Sequence, residues 1–215
     1  LGDCTFERAN ERWGFDGGDE WSTAFSAKWQ PGDELPTLAV GNYLTITEPG
    51  DTPVCDENEL VRPRDGTFGE PEPIPAHCTL SMLFSDWDRS GDRDLRVTND
   101  RQYYRPEVGE DQLWEVLPAA PARAYTREDG WQKLSVFGMG IASQDVTDDG
   151  YPDYFVTTMA GNRLRTLADG PGQPTFADSA FARGVDAAQP FTGEPRPSTA
   201  WHAEFDDVNN DGRFD

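Results

Sequence analysis

Three stretches of the chain set oxygen-bearing side chains two residues apart around a glycine. They are Asp86-Trp-Asp-Arg-Ser-Gly-Asp-Arg-Asp94, Asp145-Val-Thr-Asp-Asp-Gly-Tyr-Pro-Asp153 and Asp207-Val-Asn-Asn-Asp-Gly-Arg-Phe-Asp215. Each has an oxygen donor at positions 1, 3 and 5, glycine at 6 and aspartate at 9. The donors are Asp86, Asp88, Ser90 and Asp94; Asp145, Thr147, Asp149 and Asp153; Asp207, Asn209, Asp211 and Asp215. Ca²⁺ is a hard cation that takes about six to eight oxygens at ~2.4 Å. Alternate side chains of such a turn point inward, and the glycine permits the backbone reversal. A backbone carbonyl at position 7, from Asp92, Tyr151 and Arg213, is expected as a further ligand. An EF-hand would need Glu at position 12; Val97 and Val156 stand there in the first two loops. Asp- and Gly-rich turns also cap hairpins without metal. Three in register favour calcium, because their twelve carboxylates, Asp206 included, would otherwise repel one another. About three structural ions are expected, with every ligand position filled by protein.

The loops need elements to hold them. Their first positions lie 59 and then 62 residues apart, a period of about sixty. Alternation precedes each loop: Leu80, Met82, Phe84; Met139, Ile141, Ser143; Trp201, Ala203, Phe205. Leu95-Arg-Val-Thr and Tyr154-Phe-Val-Thr-Thr follow the first two, so each loop is predicted to join two strands. One period before Asp86 lies Ala27, preceded by Trp21, Thr23 and Phe25 and followed by Leu38-Ala-Val-Gly-Asn-Tyr43. This reads as a degenerate unit, with Ala27, Trp29 and Pro31 at positions 1, 3 and 5 and no calcium expected. Phe6 to Gly14 and Phe176 to Gly184 share a further spacing. The expected fold is all-β, a partial β-propeller over 1–215 with units centred on 21–43, 80–99, 138–158 and 199–215.

Composition agrees. Gly and Pro supply about one residue in six, which disfavours long helices. Forty Asp and Glu against eighteen Lys and Arg give a net charge of −22, which excludes nucleic acid and anionic membrane surfaces as main partners. No apolar run is long enough for a transmembrane segment. The only lysines are Lys28 and Lys133, a bias that fits either a salty habitat or a GC-rich genome. Cys4, Cys55 and Cys78 have no zinc spacing. Cys55 and Cys78 bracket a Pro-rich stretch read as an inserted loop at about 48–78, and are expected to form a disulfide that leaves Cys4 as the odd thiol.

The run Gly138-Met-Gly-Ile-Ala-Ser-Gln-Asp-Val-Thr-Asp-Asp-Gly-Tyr-Pro-Asp-Tyr-Phe-Val-Thr157 resembles the FG-GAP (VCBS) repeat of integrin α-subunit-like propellers. It is most similar to bacterial relatives of cartilage acidic protein, whose chains often end in an ASPIC/UnbV domain. The resemblance implies a seven-bladed propeller with Ca²⁺ in its hairpin loops, a secreted, periplasmic or cell-surface location, and binding rather than catalysis. About three and a half blades are expected here, the remainder of the ring coming from further chain or another polypeptide. The implied partner is a protein or glycan.

Other residues offer competing readings. His202 and Glu204 share one face of the strand expected at Thr199–Phe205, where an enzyme site could face a central channel. The alternatives are thus an enzyme built on that pair, or a structural subunit of an exported assembly. His77 reads as a surface loop residue. Trp21 and Trp201 fall at expected core positions, whereas Trp29 and Trp87 lie beside or within loops as candidates for exposed contacts.

Overall fold

The computed structural model describes residues 3–101, 107–186, 190–191, 194–195 and 199–214. The described chain is all-β, apart from two four-residue helices. Twelve strands build three four-stranded antiparallel sheets. The first sheet holds β1 (Ser22–Lys28), β2 (Thr37–Asn42), β3 (Asn58–Val61) and β4 (Glu72–Ile74). The second holds β5 (Thr79–Ser85), β6 (Asp94–Asn99), β7 (Gln112–Glu115) and β8 (Arg123–Ala124). The third holds β9 (Gly138–Gln144), β10 (Asp153–Thr158), β11 (Arg163–Leu167) and β12 (Phe176–Asp178). Each sheet is a meander in chain order, and the first strands β1, β5 and β9 lie side by side.

Strand β6 is buried at every residue from Asp94 to Asn99, because a sheet covers it on either side. Between the first and second sheets, Ala39, Leu60 and Ile74 meet Met82, Phe84, Leu95, Val97 and Trp114. At about 1.5–3 kcal/mol per fully buried large side chain, this interface outweighs any single hydrogen bond in the molecule. Between the second and third sheets the contact is aromatic: Trp87, Trp131, Tyr154 and Phe176, with Leu113 and Leu167. Arg96 is buried there, its guanidinium 4.1 Å from the Tyr154 ring centroid, 4.7 Å from Phe176 and 5.2 Å from Trp131. Burial lowers its pKa to about 10, and the ring faces offset part of that desolvation.

The same interface buries Asp111, which accepts hydrogen bonds from the Thr98 hydroxyl at 2.9 Å and the Asn99 N–H at 3.1 Å. Gly138 of β9 closes over this group: a Cβ there would lie 1.8 Å from Thr98 Oγ1. Burial pushes the Asp111 carboxyl up to about 7, against those two hydrogen bonds and the opposing charges of Arg96 and Arg165. A carboxyl raised in the folded state contributes stability that is complete below its ordinary value and lost as pH rises through 7. Asp111→Asn keeps the acceptor oxygen and removes the ionisation. Wild type is therefore expected to lose melting temperature relative to this variant between about pH 4 and 7. Parallel melting curves across that range would contradict the assignment.

Cys55 and Cys78 form a disulfide, while Cys4 is free and exposed. The bond ties a short hairpin (Leu44–Thr45 with Val54–Cys55) to the residue just before β5. The stretch read as an inserted loop is a different object. It carries β3 and β4, so it completes the first sheet, and it adds a second small hairpin, Pro63–Arg64 with Thr67–Phe68. The echo between residues 6–14 and 176–184 is structural too. Both stretches hold a four-residue helix, Asn10–Trp13 or Ala180–Arg183, closed by a left-handed glycine, Gly14 or Gly184.

Candidate metal centre

In the second and third sheets the first and second strands are joined by a loop that carries the oxygen donors, and in the first sheet the degenerate loop takes that place. The pairing register aligns the three units residue by residue. Lys28 faces Thr37 across the first hairpin as Ser85 faces Asp94 and Gln144 faces Asp153. This corrects the degenerate unit: its position 1 is Trp29 rather than Ala27, Pro31 is position 3, and Thr37 closes the loop. Counting back one full period missed by two residues, because the lost carboxylates left nothing in the sequence to mark the frame.

The three intact loops repeat one conformation. Position 4 is left-handed in each, with φ of 59° at Arg89, 58° at Asp148 and 59° at Asn210. The glycine at position 6 has φ of 95°, 90° and 85° (Gly91, Gly150, Gly212) and donates its N–H to the position-1 aspartate at 3.1, 2.9 and 2.8 Å. The position-7 N–H turns to the side-chain oxygen of position 5: Asp92 to Ser90, Tyr151 to Asp149, Arg213 to Asp211. These bonds hold side-chain oxygens on the inner side of the turn. The degenerate loop keeps the left-handed position 4, at Gly32 with φ 93°, but has Glu34 rather than a left-handed glycine at position 6 and loses the chemistry.

The closing aspartates differ. Asp94 accepts from the Trp87 indole N–H and the Tyr125 hydroxyl, both at 2.8 Å, and from the Val116 N–H at 3.3 Å. Asp153 gathers the Val146 and Thr147 N–H groups at 3.0 Å each and the Thr147 hydroxyl at 3.1 Å, all on Oδ2. Its Oδ1 is buried without a partner, as is Oδ1 of Asp86 at position 1 of the first loop. Burial, foremost, pushes the carboxyls of Asp94 and Asp153 above their ordinary range. A buried carboxylate oxygen lacking a donor, inside a turn lined with further oxygens, is the environment a hard cation satisfies. Among the described residues no three acidic, imidazole or thiolate groups converge on one point. The third loop is described through Phe214, and its closing Asp215 lies outside the described residues.

Other expectations change. Trp87 is 3% exposed and belongs to the core, its ring edge-on to Tyr125 and Phe176; Trp29 is exposed. Trp21 and Trp201, expected inside, are 59% and 65% exposed, as is Phe25 on the same alternation as Trp21, at 61%. Thr199–Phe205 is not a strand: the Ala200 N–H donates to the Thr158 carbonyl, and the Phe205 ring packs on Phe155. No post-loop strand pairs with it among the described residues. His202 and Glu204 sit 3.9 Å apart and largely exposed, beside Ser143 and Gln144. His77 is half-buried, and burial lowers its pKa. Among the described residues no helix is long and apolar enough to cross a membrane.

Sequence reasoning passed over Lys28, which the register places directly before the degenerate loop. Its signal was available: a lysine ending an alternating apolar strand, in a chain with only two lysines. The chain matches no protein-family model and no curated protein.

Proposed function

We propose that this chain is a calcium-stabilised β-propeller module, exported from the cytoplasm, that binds a protein or glycan partner. The observation carrying the reading is the threefold recurrence of one loop conformation with its oxygens turned inward, twice at the same corner of a four-stranded meander. On this reading each sheet is a blade, the first strands line the axis, and Ca²⁺ stiffens the turn between first and second strands. Asp86, Asp88, Ser90 and Asp94 would hold one ion, and Asp145, Thr147, Asp149 and Asp153 a second. Asp207, Asn209, Asp211 and Asp215 would hold a third, with carbonyls of Asp92, Tyr151 and Arg213 completing the sets. The ion's role is to neutralise clustered carboxylates and fix the loop. The Cys55–Cys78 disulfide suits an oxidising compartment.

A catalytic reading would rest on His202 and Glu204. Both are about four-fifths exposed, so water screens the pair, and binding is preferred. Calcium titration of the whole chain by isothermal calorimetry tests the reading, with saturable binding near three ions expected. No heat up to millimolar calcium would remove it.

A further inference from the structure

Lys28 ends β1 with its side chain buried, and its ammonium donates to the carbonyls of Arg93 and Val116 in the second sheet. Arg93 is position 8 of the loop 86–94. Val116 is the residue whose N–H binds Asp94. The lysine thus grips both chain segments that flank the closing aspartate of a loop in the next sheet. Burial lowers its pKa, and the charges that favour its ammonium form are Asp94 and then Asp92. The equivalent residue one unit on, Ser85, also crosses to the next sheet, where its hydroxyl meets the Tyr154 hydroxyl. That contact is neutral, and the charge acting on Asp153 is the negative one of Asp149. Asp94 spends both oxygens on protein donors, whereas Asp153 keeps Oδ1 free of them.

We propose that Lys28 is a tethered cation that partly neutralises the loop 86–94 from the neighbouring sheet. This makes that loop a weaker divalent-ion site than the loop 145–153. The degenerate unit then keeps a role: having lost its own carboxylates, it supplies positive charge to the next unit. The inference rests on the calcium reading above, and Lys28 acts as a positioning and charge-tuning residue rather than a ligand.

The test isolates each loop by calorimetric titration with calcium alone. With Asp149→Asn and Asp211→Asn, only the loop 86–94 stays intact; with Asp88→Asn and Asp211→Asn, only 145–153 does. Adding Lys28→Gln is expected to tighten the first loop about tenfold, the scale of removing one nearby unit charge at intermediate dielectric, and to leave the second unchanged. Lys28→Arg should keep the original affinity. If Lys28→Gln does not fold, Lys28→Met, which retains the methylene stem, decides in its place. Calcium binding that neither neutral variant alters, or equal tightening of both loops, overturns the role of Lys28 alone. Absence of binding in both backgrounds overturns the calcium reading itself.

Discussion

Stripping calcium with EDTA is expected to lower the melting temperature by on the order of 10 °C. An ion that binds only the native state stabilises it by RT ln(1 + [L]/Kd), about 2.7 kcal/mol per site at a hundredfold excess. The two loops described in full would together contribute about 5 kcal/mol. In a chain of this size, 1 kcal/mol moves the midpoint by about 2–4 °C. The effect is large because the loops are corners of the hairpins that build each sheet, and Asp94 and Asp153 begin the buried strands β6 and β10. Without a counter-charge these two carboxyls stay buried and pushed upward in pKa. Differential scanning calorimetry with calcium, with EDTA, and with calcium restored reads the effect directly. Coincident melts, together with no metal by elemental analysis, would sink the expectation.

Replacing both Cys55 and Cys78 by alanine should destabilise the fold by about 3 kcal/mol, a fall of roughly 6–12 °C in melting temperature. The two residues are 23 apart in sequence, and closing a loop of that length removes considerable freedom from the unfolded chain. The bond also lies where the first sheet meets the second. Around it the Tyr43 hydroxyl reaches Asp100 at 2.6 Å, the Asp100 N–H donates to the Cys78 carbonyl at 2.8 Å, and the Thr23 hydroxyl bonds the Thr79 carbonyl at 2.6 Å. The double variant avoids exchange with the exposed Cys4. A melt within 1 °C of wild type at equal calcium would show that these hydrogen bonds suffice alone.

What could be read from the sequence follows from how each signal is written. The loops announce themselves because Asp, Gly and Asp recur at fixed offsets, and the strands beside them alternate. The Cys55–Cys78 pairing was legible from the turn-rich chain between the cysteines. The frame of the first unit was not, since pairing of Lys28 with Thr37 is a property of the hairpin and leaves no mark once the carboxylates are gone. Trp87 misled for a related reason. A tryptophan inside a polar loop reads as exposed, yet its indole N–H is needed by buried Asp94, which turns the ring inward. Pro and Gly between residues 48 and 75 hid two strands of the first sheet and three short hairpin strands, because short segments flanked by turns carry too little periodicity to be told from loop. Lys28 was visible, but the carbonyls that receive it belong to residues 65 and 88 positions away.

The guanidinium of Arg96, enclosed by three rings, has a spectroscopic consequence. Ring currents from Tyr154, Phe176 and Trp131 all act on its protons. Those protons belong to the second sheet, while Tyr154 and Phe176 belong to the third. Their resonances are therefore displaced from random-coil positions only while the two sheets remain docked. In ¹⁵N-edited spectra this single side chain separates melting of one sheet from the parting of two, a distinction that circular dichroism averages away.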